Sequence, residues 1–144
     1  MIRQAQSPQD VASILRLARL MHCCLLVSIP LYGVMGERLV HPEHQPLSSA
    51  MLTGTVILAI SLVGLAFSFR IRSVRGPAEA LRTNPTDQAM LGRWRQGLIL
   101  TATLCEAVAL LGLVNHMFGS SHLESYGFYA LGAVLLLLWW PQAP

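Results

Sequence analysis

LTATLCEAVALLGLV, residues 100–114, is a run of apolar and small side chains with one carboxylate, Glu106, in its middle. Extended to 97–117, the run approaches the roughly 20 residues a helix needs to cross a ~30 Å hydrocarbon layer. Three further stretches have the same character, at about 17–36, 50–69 and 123–140. Over the whole chain of 144 residues, 53% are apolar and only 12% charged. A water-soluble domain is normally about a quarter charged and interrupts its apolar runs every few residues. The four stretches therefore read as membrane helices, because helices and closed barrels are the structures that satisfy every backbone group in lipid, and a barrel would show alternating ten-residue strands.

The expected fold is an all-α integral membrane domain over 1–144, with four transmembrane helices arranged as two hairpins and a connection at 70–96. The arginines give its orientation. Lysine is absent, and nine of the ten arginines (Arg3, Arg16, Arg19, Arg70, Arg72, Arg75, Arg82, Arg93 and Arg95) flank the same side of the four stretches. Arg38 alone lies opposite. By the positive-inside bias both termini and the central connection face the cytoplasm, N-in and C-in. Trp94, Trp139 and Trp140 fit an inner aromatic belt, and Tyr126, Phe128 and Tyr129 an outer one. The net charge of +3 then reflects topology and anionic inner-leaflet lipid, not nucleic acid. The partners expected are the bilayer itself and either further copies of the chain or a larger membrane complex. Arginine without lysine, together with the proline usage, points by association to a prokaryotic inner membrane.

Arg3 followed by an apolar run imitates a signal peptide. The run begins late, contains His22 and Pro30, and ends in Gly36-Glu37-Arg38 without a small-x-small pair, so the first helix is expected to stay in the mature chain. Cys23, Cys24 and Cys105 are an odd set within predicted helices and read as small packing residues. A pattern [SN]-P-x-D-x-A-x3-R occurs at Ser7 and again at Asn84, 77 residues later, and each copy opens a hairpin. Duplication explains it, and so do ordinary helix starts: Ser or Asn as N-cap, Pro first, Asp third. Pro77 and Pro85 bracket a short interfacial helix within the connection.

Counted from Gly97 at about 1.5 Å per residue, Glu106 lies about 14 Å deep, near the midplane. A central acidic residue costs on the order of 2.5 to 3.5 kcal/mol, and such residues face a bundle interior, carry a proton or bind a cation. Ser28 and Ser61 are candidate partners at the same depth, with Thr103 one turn away on the same helix. His22, nearer the inner end, can relay protons. Serine in a membrane helix also bonds its own preceding carbonyl, and a histidine near an interface also serves simply in packing. Pro30 should kink the first helix and free the Leu26 carbonyl.

Residues 79–114, EALRTNPTDQAMLGRWRQGLILTATLCEAVALLGLV, resemble the polar loop and second helix of the rotor-ring subunit c of rotary ATP synthases. Arg82-Thr83-Asn84-Pro85 looks like that family's loop, and Glu106-Ala107-Val108-Ala109-Leu110-Leu111-Gly112-Leu113-Val114 like its carboxylate helix. The resemblance implies an ion-binding role for Glu106. Ring subunits pack through a glycine-rich first helix, whereas 50–69 carries only Gly54 and Gly64.

The outer loops offer a second chemistry. His41, Glu43 and His44 in one, and His116, His122 and Glu124 in the other, place imidazoles and carboxylates on one face, a donor set suited to zinc, copper or nickel, though not in a known ligand spacing. No nucleophile, base and orienting group occur together, and no phosphate loop, Cys-x-x-Cys or facing haem histidines are present, so neither an independent catalytic activity nor a cofactor is read from the residues. Two functions remain: proton or cation translocation through Glu106, or a non-catalytic accessory or scaffolding subunit in which Glu106 is a helix-to-helix hydrogen bond.

Overall fold

The computed structural model describes residues 11–39 and 48–144. Ser7, the first copy of the repeated pattern up to Asp10, and the loop histidines His41 and His44 lie outside those residues. Among the described residues the chain is all-helical. The helices are α1 (Val11–Leu39), α2 (Ser49–Phe69), α3 (Gly76–Thr83), α4 (Gln88–Met117) and α5 (His122–Leu138).

Three helical segments are long and apolar enough to cross a membrane: Val11–Arg38, Ser49–Thr83 and Gln88–Met117. The second runs from α2 through a π-helical turn, Arg70–Arg75, straight into α3. Most of the connection expected at 70–96 is therefore helix, and only 84–87 separate α3 from α4. α5 is apolar but shorter, 17 residues or about 25 Å, at the lower limit for a span. α1 and α4 begin at Val11 and Gln88, several residues before their apolar runs, because polar amphipathic turns extend both helices.

The α3–α4 turn corrects the expected cap. Asp87, not Asn84, caps α4, its side chain accepting from the amides of Ala89 at 2.9 Å and Met90 at 3.2 Å. Asn84 ends α3 instead, and its carbonyl accepts from Asp87 N–H at 3.3 Å. Pro85 thus sits in the turn and not in the first position of α4. Reversing the chain so tightly uses up the residues that would otherwise have started the helix.

α4 is the axis of the molecule. α1, α2, α3 and α5 all pack on it, and α1 also meets α5, whereas the backbones of α1 and α2 do not approach each other closely, nor do those of α2 and α5. Within this arrangement α4 and α5 make a close hairpin, whereas the backbones of α1 and α2 stand further apart. The reason lies in the small residues. A Cβ on Gly132 of α5 would stand 2.8 Å from Ala109 Cβ, and one on Gly112 of α4 would stand 2.7 Å from the Ser125 carbonyl oxygen. Such side chains let helix backbones approach without a large apolar residue between them. On α2, by contrast, Gly54 and Gly64 face open space, and Ala59 and Ala66 are its only buried residues.

Two apolar clusters hold this arrangement. One joins Ile14 and Ala18 of α1 to Val74, Leu81, Leu91, Trp94 and Leu98 at the end carrying most of the arginines, called here the basic end. The other joins Ile29 of α1 to Ala102, Cys105, Ala109, Tyr129, Leu135 and Leu136. Trp94, expected in an interfacial belt, is buried at 1% exposure in the first cluster. Cys105 is buried as expected of a packing residue, but Cys23 and Cys24 are exposed. The outward faces are apolar too, with Val34, Ile57, Ile60, Phe67, Leu137 and Leu138 all exposed.

Candidate functional site

Glu106 lies in the interior of α4, about 17 Å along the axis from that helix's last residue. Its Oε1 accepts two hydroxyl hydrogen bonds from α1, from Tyr32 at 2.5 Å and from Ser28 at 3.1 Å. Ser28 and Tyr32 are four residues apart, so both hydroxyls fall on one face of α1. The single Ser28 proton is shared, because its Oγ also lies 2.7 Å from the Leu25 carbonyl. Tyr32 is thus the dedicated donor. Its backbone carbonyl in turn accepts from the Tyr129 hydroxyl of α5 at 3.4 Å, which ties three helices to this depth. Glu106 Oε2 takes no hydrogen bond from the described residues, and the side chain is half-buried.

Pro30 stands between the two donors, inside α1. It has no N–H, so the Leu26 carbonyl, about half a turn before Ser28, loses its helical partner. Of the residues expected around Glu106, the structure brings only Ser28 to it. Ser61 is exposed on α2 and donates to the Ile57 carbonyl at 2.9 Å, and Thr103 is exposed on α4 and donates to the Ile99 carbonyl at 3.0 Å. Both follow the ordinary habit of helical hydroxyls. His22 is buried nearer the basic end, about 9 Å along α1 from Ser28. Its Nδ1 lies 3.0 Å from the Ala18 carbonyl, and its ring meets Trp140 edge-on with centroids 5.9 Å apart. The partner missed from sequence is Tyr32. Its spacing of four from Ser28 was the available signal.

The basic end also fixes the residues after α5. Arg70 Nη1 donates to the Trp139 carbonyl at 3.2 Å, its guanidinium carbon lies 5.7 Å from the Trp139 ring centre, and Arg19 Nε donates to the Pro141 carbonyl at 3.4 Å. Beside it, Arg72, Ser73, Arg93 and Gln96 line a cavity of about 590 Å³ between α2, α3 and α4.

A second polar group lies at the opposite end, where α1 and α4 finish and α5 starts. His122 Nδ1 is 3.0 Å from Glu37 Oε1, which also accepts from the Tyr126 hydroxyl at 3.2 Å. The His116 and His122 rings meet edge-on, with centroids 5.1 Å apart. His116 is buried, and its Nδ1 has no hydrogen-bond partner among the described residues. Leaving such an atom unsatisfied costs about 1–3 kcal/mol. The ring packs on Gly36, where an added Cβ would come within 3.1 Å of it. Of the expected metal donors, His116 and His122 are thus brought together. Glu124 is not with them: its Oε2 accepts the Ser121 N–H at 2.9 Å while Ser121 Oγ accepts from Glu124 N–H, a capping box that starts α5. Glu37, on a different helix, takes the place expected of Glu124.

No family model matches the chain, and no curated protein or solved structure matches it either. Among the described residues, fold and site define an all-helical arrangement with three helical segments long and apolar enough to cross a membrane and a hydroxyl-bound carboxylate between two of its helices.

Proposed function

We propose that this chain is a multi-pass protein of a prokaryotic inner membrane that takes part in proton or cation movement through Glu106. In this reading α5 is a fourth crossing, and the arginine-rich end faces the cytoplasm, N-in and C-in, by the positive-inside bias. The observation that carries the reading is the asymmetric binding of the carboxyl group. Oε1 is held by Tyr32 and Ser28, while Oε2 has no hydrogen-bond partner among the described residues. One oxygen is fixed in place, and the other is left to hold or release a proton or to meet a cation. A carboxylate at this depth in lipid needs such a role or a complete set of partners. The resemblance of 79–114 to rotor-ring subunits points the same way.

A second reading rests on a specific observation: both donors belong to α1, so the three side chains also clip α1 to α4. A small accessory or scaffolding subunit, or one copy within an oligomer, would use Glu106 in that way alone.

Carbodiimide labelling of the membrane-embedded protein across pH, with the adduct located by peptide mass spectrometry, separates the two. Adduct at Glu106 that one cation suppresses supports ion exchange at this carboxyl. Absence of adduct at Glu106 under every condition overturns it in favour of the clip.

A further inference from the structure

We propose that Glu37, His116 and His122 bind a divalent transition-metal ion at the end of the molecule where α1 and α4 finish and α5 begins. One donor comes from each helix, and the ligand-capable atoms of the three residues all lie within 4.8 Å of one another. Metal–ligand bonds of about 2.0–2.2 Å would place those atoms roughly 3.4 Å apart, so only a small contraction separates the present geometry from coordination. The Glu37–His122 pair, at 3.0 Å, is already inside that separation. The contraction falls on side chains with room to adjust, since those of His122 and Glu37 are 69% and 46% exposed.

The second observation is His116. A buried imidazole whose Nδ1 has no partner among the described residues is a polar group that they do not satisfy, and Gly36 leaves the space its ring occupies. The Tyr126 hydroxyl donates to Glu37 Oε1, an outer-shell contact of the kind that orients metal-binding carboxylates. Two imidazoles and one carboxylate suit Zn²⁺, Cu²⁺ or Ni²⁺ better than Mg²⁺ or Ca²⁺, which prefer all-oxygen sites. Three protein donors leave a fourth position for water or an external ligand. The site is independent of Glu106 and of the ion-movement reading.

The test uses the full chain in detergent micelles, without a polyhistidine tag, titrated calorimetrically with Zn²⁺ alone. One Zn²⁺ per chain is expected. His122→Ala and Glu37→Gln should each weaken binding by at least about tenfold, the low end of what loss of even an outer-shell partner does. Both residues are exposed enough for the variants to fold. Gly36→Ala, which pushes a methyl group toward the His116 ring, should weaken it as well. Co²⁺ should give visible ligand-field bands that His122→Ala abolishes, a readout that a purely structural effect would not produce. A His41→Ala, His44→Ala double variant should bind as the parent does. Failure of the parent to bind Zn²⁺ stoichiometrically, unchanged binding in His122→Ala, or loss of the site only in the double variant would each overturn the proposal.

Discussion

The Tyr32 hydroxyl donates to Glu106 Oε1 at 2.5 Å, across the α1–α4 interface, from the last third of α1 to the interior of α4. Hydrogen bonds to a carboxylate are among the stronger ones, and a low-dielectric setting strengthens them relative to water. This contact therefore serves two ends: it fixes the rotamer of Glu106, and it holds α1 in register against α4.

Tyr32→Phe removes the hydroxyl and keeps the ring. Stability is expected to fall by about 1–3 kcal/mol, measured by reversible unfolding in mixed micelles. Ser28→Ala should cost less, because the Ser28 proton is already shared with the Leu25 carbonyl. Equal losses in the two variants would show that Tyr32 is not the principal donor.

Glu106→Gln preserves side-chain size and an acceptor oxygen for Tyr32 and Ser28. The variant is expected to express and fold as the parent does, because both hydroxyl donors keep an acceptor. Reconstituted in vesicles with a pH-sensitive dye inside, the parent should support ion-linked proton flux and the variant none. Loss of expression in this near-isosteric variant would count for the clip and against ion movement.

How far the sequence discloses this arrangement depends on the length scale of the signal. The apolar runs mark every long helix, since burial in lipid or in a neighbour needs the same continuous apolar stretch, and Glu106 stands out against that background without any structure. Pairing between helices is a different matter. α4 became the axis because Gly97, Ala109 and Gly112 admit close neighbours, and small residues alone do not say which neighbour comes. Ser61 matched Glu106 in expected depth but not in helix face, because depth is set by counting along the chain and face by packing, and the Thr103 hydroxyl, one turn from Glu106, bonds back to its own helix. Tyr32 was hidden for the converse reason: an aromatic in a membrane helix is read first as apolar. Glu37 joined the histidines by a contact 85 residues away in sequence, between Glu37 and His122, which no spacing rule reaches.

Gly97 contributes to that packing through the absence of a side chain. A Cβ there would stand 2.5 Å from the backbone oxygen of Ser73 in the π-helical turn, closer than any real Cβ contact. Gly97→Ala must therefore push α4 away from Arg70–Arg75 and is expected to destabilise by about 1–3 kcal/mol, the usual cost of overpacking. Gly54→Ala, where nothing lies within 4 Å, should be neutral or should stabilise by up to about 1 kcal/mol through helix propensity. Both follow from thermal unfolding in one detergent. A similar loss at Gly54 would mean that a partner covers that face of α2.

The residues after α5 have no helix of their own to hold them, yet Arg70 and Arg19 reach their carbonyls from α1 and from the π-helical turn. Arg70 does so twice over, bonding the Trp139 carbonyl and lying against its ring. Such a cation–aromatic contact contributes about 0.5–1 kcal/mol where partly exposed and more where dry. Arg70→Gln keeps a donor of shorter reach and loses the charge, so it should free the last residues without unfolding the α4–α5 pair. Hydrogen exchange read by mass spectrometry should then rise at least about fivefold at 139–144, which corresponds to about 1 kcal/mol of lost protection, while the amides of α4 around Ala109 keep their parent rates. Faster exchange throughout α4 would instead make Arg70 a support of the whole core, and unchanged exchange at 139–144 would leave Arg19 as the residue that holds the tail.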